Sequence, residues 1–338
     1  MKNRFYFILF CCLSVIGVSL NKASIVLQPV DYPSYWPRPI QKMKAINEEE
    51  IQLGRLLFYD PILSEDSSVS CASCHLQQTG FTHIDQAVSH GIYGRKGTRN
   101  APALQNLAWN KTFHWDGGVT SLSGQAINPI THPAEMNFDL KGVILRLNRS
   151  GKYVALAQSS YKTKTFTTSL LLKALSQFTV SLVSCHSKYD AMKAGKISFS
   201  DQEEKGYQLF QKKCASCHTE PLFMKNEFAS NGLQIDPEYN DLGRYTITHK
   251  NSDSLKFKIP SLRNCEVTFP YMHDGRFKKL KDVINYYSDN STKKNNHLDQ
   301  RLKVDLFLNK DEKKDLLAFL NTLTDRTFLV NKNYSFPK

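Results

Sequence analysis

The sequence Cys-Ala-Ser-Cys-His occurs twice in the chain, at 71–75 (the first motif) and at 214–218 (the second motif). Cys-x-x-Cys-His attaches a c-type haem: two cysteine sulfurs form thioethers with the vinyl groups, and the histidine is the proximal iron ligand. A redox cysteine pair or a zinc site would not require the histidine in both copies. The repeat therefore predicts two covalently bound c-type haems. The attachment residues are Cys71, Cys74, His75, Cys214, Cys217 and His218.

The first residues have the pattern of an export signal. Lys2 and Arg4 precede an apolar run from Phe5 to Leu20, and polar residues follow. A basic start before a short apolar run is typical of a secretory signal peptide, predicted here over 1–22. Haem attachment on the exported side of the membrane agrees with this. We therefore expect a periplasmic protein, with a membrane tether through an uncleaved segment or a lipid as the alternative.

A second repeat precedes the two motifs. Gly-x-x-Leu-Phe occurs at 54–58 and again at 206–210, each time on a segment with a helical pattern. Glycine allows such a helix to cross a partner helix closely. The apolar spacing in 311–323 predicts that partner for the second copy. We expect a mainly α fold with two cytochrome c-like haem domains, over 23–190 and 191–338.

Composition restricts the partners of the chain. The 338 residues include 44 Lys and Arg against 31 Asp and Glu, a formal charge of +13, and 41% are hydrophobic. These values are ordinary for a globular protein and exclude a disordered chain or a multi-span membrane protein. The sequence has no nucleic-acid-binding signature. We expect the surplus lysines and arginines to lie on a solvated face of the protein, where an acidic redox partner could dock.

The chain resembles the bacterial di-haem cytochrome c peroxidases and the related MauG-type enzymes. The resemblance extends over nearly all of the exported chain. The motifs that carry it are Arg-Asn-Ala-Pro at 99–102, Phe-His-Trp-Asp-Gly at 113–117, Pro-Ala-Glu-Met at 133–136, Phe-Lys-Ile-Pro-Ser-Leu-Arg-Asn at 257–264 and Pro-Tyr-Met-His-Asp-Gly-Arg at 270–276.

The resemblance implies different roles for the two haems. The N-terminal haem would react with peroxide, and the C-terminal haem would supply it with electrons. Glu135 matches the family's acid–base residue, and Trp115 matches the tryptophan between the haems. His90 matches a displaceable ligand of the first iron, with His83 as the weaker alternative.

The second haem departs from the peroxidase pattern. The resemblance leads us to expect a methionine as its sixth ligand, but no methionine follows Met272. Tyr287 stands at the expected position, as in MauG-type enzymes. A phenolate oxygen favours ferric iron and lowers the reduction potential, whereas methionine raises it. Met272 is the alternative ligand.

The resemblance also implies Ca²⁺ between the domains, a hard cation bound by amide and carbonyl oxygens. The matching residues are Asn100, Thr268 and Pro270, whereas Pro260 and Asn264 match packing positions. Two further cysteines, Cys185 and Cys265, could form a disulfide in an oxidising compartment or remain buried thiols.

Three functions follow, in order of preference. The first is reduction of H₂O₂ with electrons that a small redox protein, a cytochrome c or a cupredoxin, donates through the C-terminal haem. The second is MauG-type oxidation of residues in a partner protein. The third is electron transfer without catalysis, against which Glu135 and Trp115 argue. A homodimer is left open by the sequence.

Overall fold

The computed structural model describes residues 32–41, 47–289 and 297–337. The signal peptide predicted at 1–22 lies outside these ranges. The α-helices are α1 (Glu48–Tyr59), α2 (Cys71–Cys74), α3 (Leu122–Gln125), α4 (Ile127–Thr131), α5 (Leu140–Arg149), α6 (Gly151–Tyr161), α7 (Thr168–Ser181), α8 (Lys188–Lys193), α9 (Asp201–Lys213), α10 (Tyr245–Thr248), α11 (Leu280–Ser288), α12 (Lys310–Asn321) and α13 (Arg326–Leu329). 3₁₀ helices occupy Pro61–Leu63, Gln77–Thr79, Ile92–Gly94, Leu107–Trp109, Asn251–Asp253 and Gln300–Leu302.

Regular β-structure is confined to one small pair in the described ranges. Strand β1 (Phe228–Ala229) pairs antiparallel with β2 (Phe257–Lys258). The prediction of a mainly α fold is therefore confirmed. None of the described helices is long and apolar enough to cross a membrane.

Each half of the chain contains a close helix crossing at a glycine. In α1, a Cβ atom added to Gly54 would lie 1.9 Å from the carbonyl oxygen of Ala174 in α7. In α9, a Cβ atom on Gly206 would lie 1.9 Å from the carbonyl oxygen of Asp315 in α12. Only glycine permits backbones to approach this closely. Both Gly-x-x-Leu-Phe repeats therefore start the crossing that the sequence predicts, and α12 is the predicted closing helix.

The phenylalanine that ends each repeat forms the centre of a separate core. Phe58 packs on Phe178 of α7 and on Phe81, with ring centroids 5.1 and 5.9 Å apart. Phe210 packs in the same way on Phe319 of α12 and on Phe223, at 5.1 and 5.3 Å.

The two further cysteines fall into these two cores. Cys185 belongs to the first and Cys265 to the second. The structure shows no disulfide between them in the ranges it describes.

Ion pairs connect segments that are far apart in the chain. Arg263 is fully buried and donates to both carboxylate oxygens of Asp190 in α8, each at 2.8 Å. Its guanidinium group lies over the ring of Trp36, 4.5 Å from the centroid. Arg99 is half-buried and pairs with Asp116 of its own half and with Asp241 of the other. Because a buried charge is stable only when paired, Asp190 stabilises Arg263, and the Arg99–Asp241 pair links the two halves.

Candidate haem and catalytic site

The two motifs adopt the same local turn. In the first motif, which includes α2, the amide of His75 donates to the carbonyl of Cys71 at 3.0 Å. In the second, which follows α9, the amide of His218 donates to the carbonyl of Cys214 at 3.0 Å. The repeat is thus structural as well as sequential.

Each motif histidine has one ring nitrogen held by backbone oxygen. Nδ1 of His75 lies 2.7 Å from the carbonyl of Phe81. Nδ1 of His218 lies 3.3 Å from the carbonyl of Phe223 and 3.1 Å from that of Pro260. A carbonyl only accepts, so Nδ1 carries the proton and Nε2 keeps its lone pair for a metal.

Burial also lowers the pKa of both histidines to about 4, so each ring is neutral, as a ligand must be. The motif cysteines and the histidines with their carbonyl partners fit two c-type haems. His75 and His218 are the proximal iron ligands in this fit.

A cavity of about 320 Å³ lies beside His218 and extends to Trp115. Its wall is largely apolar, as a haem site requires. Residues from both halves line it, among them Cys214, Cys217, Met272, Tyr287, Lys258 and His114.

Both candidate sixth ligands of the second haem meet at one side chain in this cavity. The amide Nδ2 of Asn231 lies 3.4 Å from Oη of Tyr287 and 3.4 Å from Sδ of Met272. Burial raises the pKa of Tyr287 to about 12, so its phenol stays protonated at neutral pH unless a bound cation displaces the proton. Asn231 is a site residue that the sequence did not indicate.

On the N-terminal side, Glu135 and His90 lie beside the first motif. The carbonyl of Glu135 accepts the amide of Ile92 at 2.8 Å. A Cβ atom on Gly91 would lie 2.2 Å from that same oxygen. The carbonyl of His90 is 3.7 Å from Sγ of Cys74. The structure therefore brings the 90–92 loop, the Glu135 segment and the first motif together.

The Glu135 side chain is half-buried, and loss of solvent around its carboxyl group raises its pKa. In the Cys74 thiol, burial is again the main cause of a raised pKa, and the negative charge of Glu135 contributes. The imidazole of His90 faces its own loop, with Nδ1 3.0 Å from the carbonyl of Val88. The ring of His83 likewise accepts the amide of Asp85 at 3.2 Å.

Trp115 lies where the two halves meet. Its indole Nε1 donates to the carbonyl of Asn100 at 2.9 Å, and its own carbonyl accepts the amide of Lys258 at 2.8 Å. In return, the amide of Asn100 donates to the carbonyl of His273 at 2.7 Å. Asn100 and Lys258 are 158 positions apart, as are Trp115 and His273, so the two bonds are reciprocal. The 158-residue spacing between the two loops is a sequence signal from which this contact between the halves could have been predicted.

The residues proposed for Ca²⁺ also line the shared cavity: they are Asn100, Thr268 and Pro270. The side-chain Nδ2 of Asn100 donates to the carbonyl of Ala87 at 2.9 Å, which leaves the amide oxygen as the atom suited to a cation. Within the described ranges, no group of three or more His, Cys, Asp or Glu residues could hold a metal ion.

Comparison with known proteins defines the class. A family model described as di-haem cytochrome c peroxidase matches residues 48–198, and a cytochrome c model matches 203–324. The methylamine utilization protein MauG of Methylorubrum extorquens is 35% identical over 298 residues, covering 86% of this chain and 82% of that protein. The cytochrome c551 peroxidase of Nitrosomonas europaea is 31% identical, covering 85% and 84%.

A solved structure agrees with these relatives. The crystal structure of a MauG-like protein associated with microbial copper homeostasis has a TM-score of 0.83 and 31% identity, covering 92% of this chain and 99% of that one. The chain belongs to the di-haem cytochrome c peroxidase family. It is an oxidoreductase of that type, with two c-type haems and two cytochrome c-like domains, as the sequence predicts.

Proposed function

We propose that the chain is a periplasmic peroxidase that reduces H₂O₂ to two molecules of water with two electrons and two protons. A small redox protein, a cytochrome c or a cupredoxin, donates the electrons at the C-terminal haem on His218. Cys71, Cys74 and His75 would hold the haem whose iron would react with peroxide. The observation that carries the proposal is the half-buried Glu135 carboxyl group beside the first motif.

Glu135 is the acid–base group in this proposal. Splitting the O–O bond requires a group that takes a proton from one peroxide oxygen and gives one to the other. Burial raises the pKa of Glu135 towards the operating pH, which suits both transfers. The tie between its carbonyl and the amide of Ile92 fixes the segment that carries it.

His90 and Trp115 complete the proposed machinery. His90 would be the displaceable ligand of the first haem; its ring nitrogen Nδ1 lies 3.0 Å from the Val88 carbonyl, which orients the imidazole in its loop. Trp115 passes charge between the halves through its π-system, held by its bond to Asn100. Ca²⁺ bound at Asn100, Thr268 and Pro270 would stabilise the same contact between the two halves.

The proposed organisation follows the sequence. The signal peptide covers 1–22, the peroxide-reacting domain 23–190 and the electron-receiving domain 191–338. A membrane tether is the alternative to cleavage of the signal peptide, and measuring secretion tests it. A homodimer is the alternative to a monomer, and sedimentation tests it.

The test is Glu135→Gln, which keeps the side-chain volume and removes the acid. We expect both haems to stay attached and the rate of reaction with H₂O₂ in stopped-flow to fall at least about 100-fold. Glu238→Gln, at an exposed position, is the matched control and should leave the rate unchanged. Wild-type rates in Glu135→Gln would remove this residue from the mechanism.

A second function, MauG-type oxidation of a partner protein, is favoured by one observation. The half-buried Tyr287 lines the cavity beside His218, where a tyrosine ligand would lower the potential of the second haem. Titration with H₂O₂ in the presence of reduced cytochrome c separates the functions. Steady cytochrome oxidation supports the peroxidase, and a long-lived oxidised state with little turnover supports the MauG-type enzyme. If neither haem responds to H₂O₂, electron transfer without catalysis is the function that remains.

A further inference from the structure

Lys258 is a half-buried cation with no carboxylate partner among the described residues. It belongs to β2, and its side chain lines the cavity beside His218. Throughout the ranges that the structure describes, no aspartate or glutamate forms an ion pair with it. Burial alone lowers its pKa to about 8. The ammonium group is therefore desolvated but remains the main form at neutral pH.

Cations of similar or greater burial have carboxylate partners: Arg263 is buried, and Arg99 and Arg276 are half-buried. Arg263 has the Asp190 carboxylate at 2.8 Å, Arg99 has Asp241 at 2.6 Å, and Nε of Arg276 has Asp274 at 2.8 Å. A buried charge is stable when an opposite charge and hydrogen bonds replace its water. The contrast indicates that the partner of Lys258 is an anion supplied by the ligand of the cavity.

The backbone places this ammonium group close to the second haem site. The amide of Lys258 is fixed on the carbonyl of Trp115, and its residue pairs with Phe228 of β1. Two residues further on, the carbonyl of Pro260 accepts Nδ1 of His218. One short segment thus holds the proximal histidine and carries the unpaired cation into the same cavity.

We propose that the ammonium group of Lys258 binds a propionate carboxylate of the haem on His218. The propionates are the anionic groups that a c-type haem brings into the protein. Pairing one of them with Lys258 neutralises negative charge near the iron and so favours the ferrous form. The inference rests on the second haem alone and does not require peroxide turnover.

The test compares Lys258→Met with Lys258→Arg in the haem-loaded protein. We expect Lys258→Met to keep both haems, because methionine fills the same space, and to lower the midpoint potential of the second haem. An expected tenfold fall in the equilibrium constant for one-electron reduction corresponds to about 59 mV. Arginine, which keeps the charge, should restore most of the potential.

Two further measurements make the result specific. Lys256→Met removes a neighbouring lysine that is already paired with Asp253, and should leave the potential unchanged. The propionate bending band in resonance Raman spectra should shift in Lys258→Met. An unchanged potential and band in a Lys258→Met protein with both haems attached would overturn the proposal. If the midpoint potential responds instead to added chloride, Lys258 binds an inorganic anion, and that result would also overturn the proposal.

Discussion

The two halves of the molecule carry the same loop with different side chains. Residues 113–119 and 271–277 are both closed by an antiparallel bridge between their ends. Both have a left-handed second residue, His114 with φ +64° and Met272 with φ +75°. In both, the fourth residue is an aspartate that pairs with an arginine, Arg99 or Arg276. The backbone of the duplication is therefore preserved where its chemistry has changed.

The differences lie in the second and third positions of the loop. In the C-terminal loop, Sδ of Met272 receives the Asn231 amide, and His273 stacks on Phe257 with centroids 3.7 Å apart. In the N-terminal loop, Nε2 of His114 is buried without a hydrogen-bond partner in the described structure, and the indole of Trp115 donates to the carbonyl of Asn100. One scaffold thus presents the candidate ligand Met272 on one side and, on the other, the tryptophan that we propose passes charge.

The largest expected effect tests the equivalence of the helix crossings. Gly54→Ala and Gly206→Ala each place a methyl group 1.9 Å from a carbonyl oxygen. We expect each to lower the free energy of unfolding by about 3 kcal/mol, measured by denaturant titration. Gly151→Ala at the start of α6, where nothing lies within 4 Å, is the control and should change stability by less than about 0.5 kcal/mol. A large loss in only one half would mean that the crossings are not equivalent.

What the sequence predicts well is local. The haem motifs and the crossing glycines lie within short segments, so the sequence indicates the turn and the helix face that can be approached closely. The partner backbones, at Ala174 and Asp315, lie far along the chain and are set by the fold. The position of Glu135 beside the first motif followed from resemblance, because no local pattern connects residues 135 and 74. Asn231 escapes sequence reasoning for a physical reason: its contacts, Met272 and Tyr287, lie 41 and 56 residues away. Lys258 lies in a motif of the family, but only the fold shows that it lines the cavity.

An intermediate effect tests the second haem. Tyr287→Phe removes the phenol oxygen and should raise the midpoint potential of this haem by on the order of 100 mV, because an anionic oxygen ligand stabilises ferric iron. Spectroelectrochemistry and the ferric absorption spectrum measure the change. Met272→Leu, which removes the sulfur at nearly constant volume, is the matched variant and should leave both unchanged. If Met272→Leu alters the spectrum and Tyr287→Phe does not, the ligand is the methionine.

The smallest effect concerns the amide that both candidate ligands share. Asn231→Leu removes the donor that lies 3.4 Å from Oη of Tyr287 and from Sδ of Met272. A phenolate that loses a hydrogen bond becomes a stronger donor to iron, so the potential of the second haem should fall by the equivalent of about 1 kcal/mol. The double variant Asn231→Leu with Tyr287→Phe gives the decisive comparison. The Asn231 effect should vanish when the phenol is absent, and its persistence there would assign the amide to Met272.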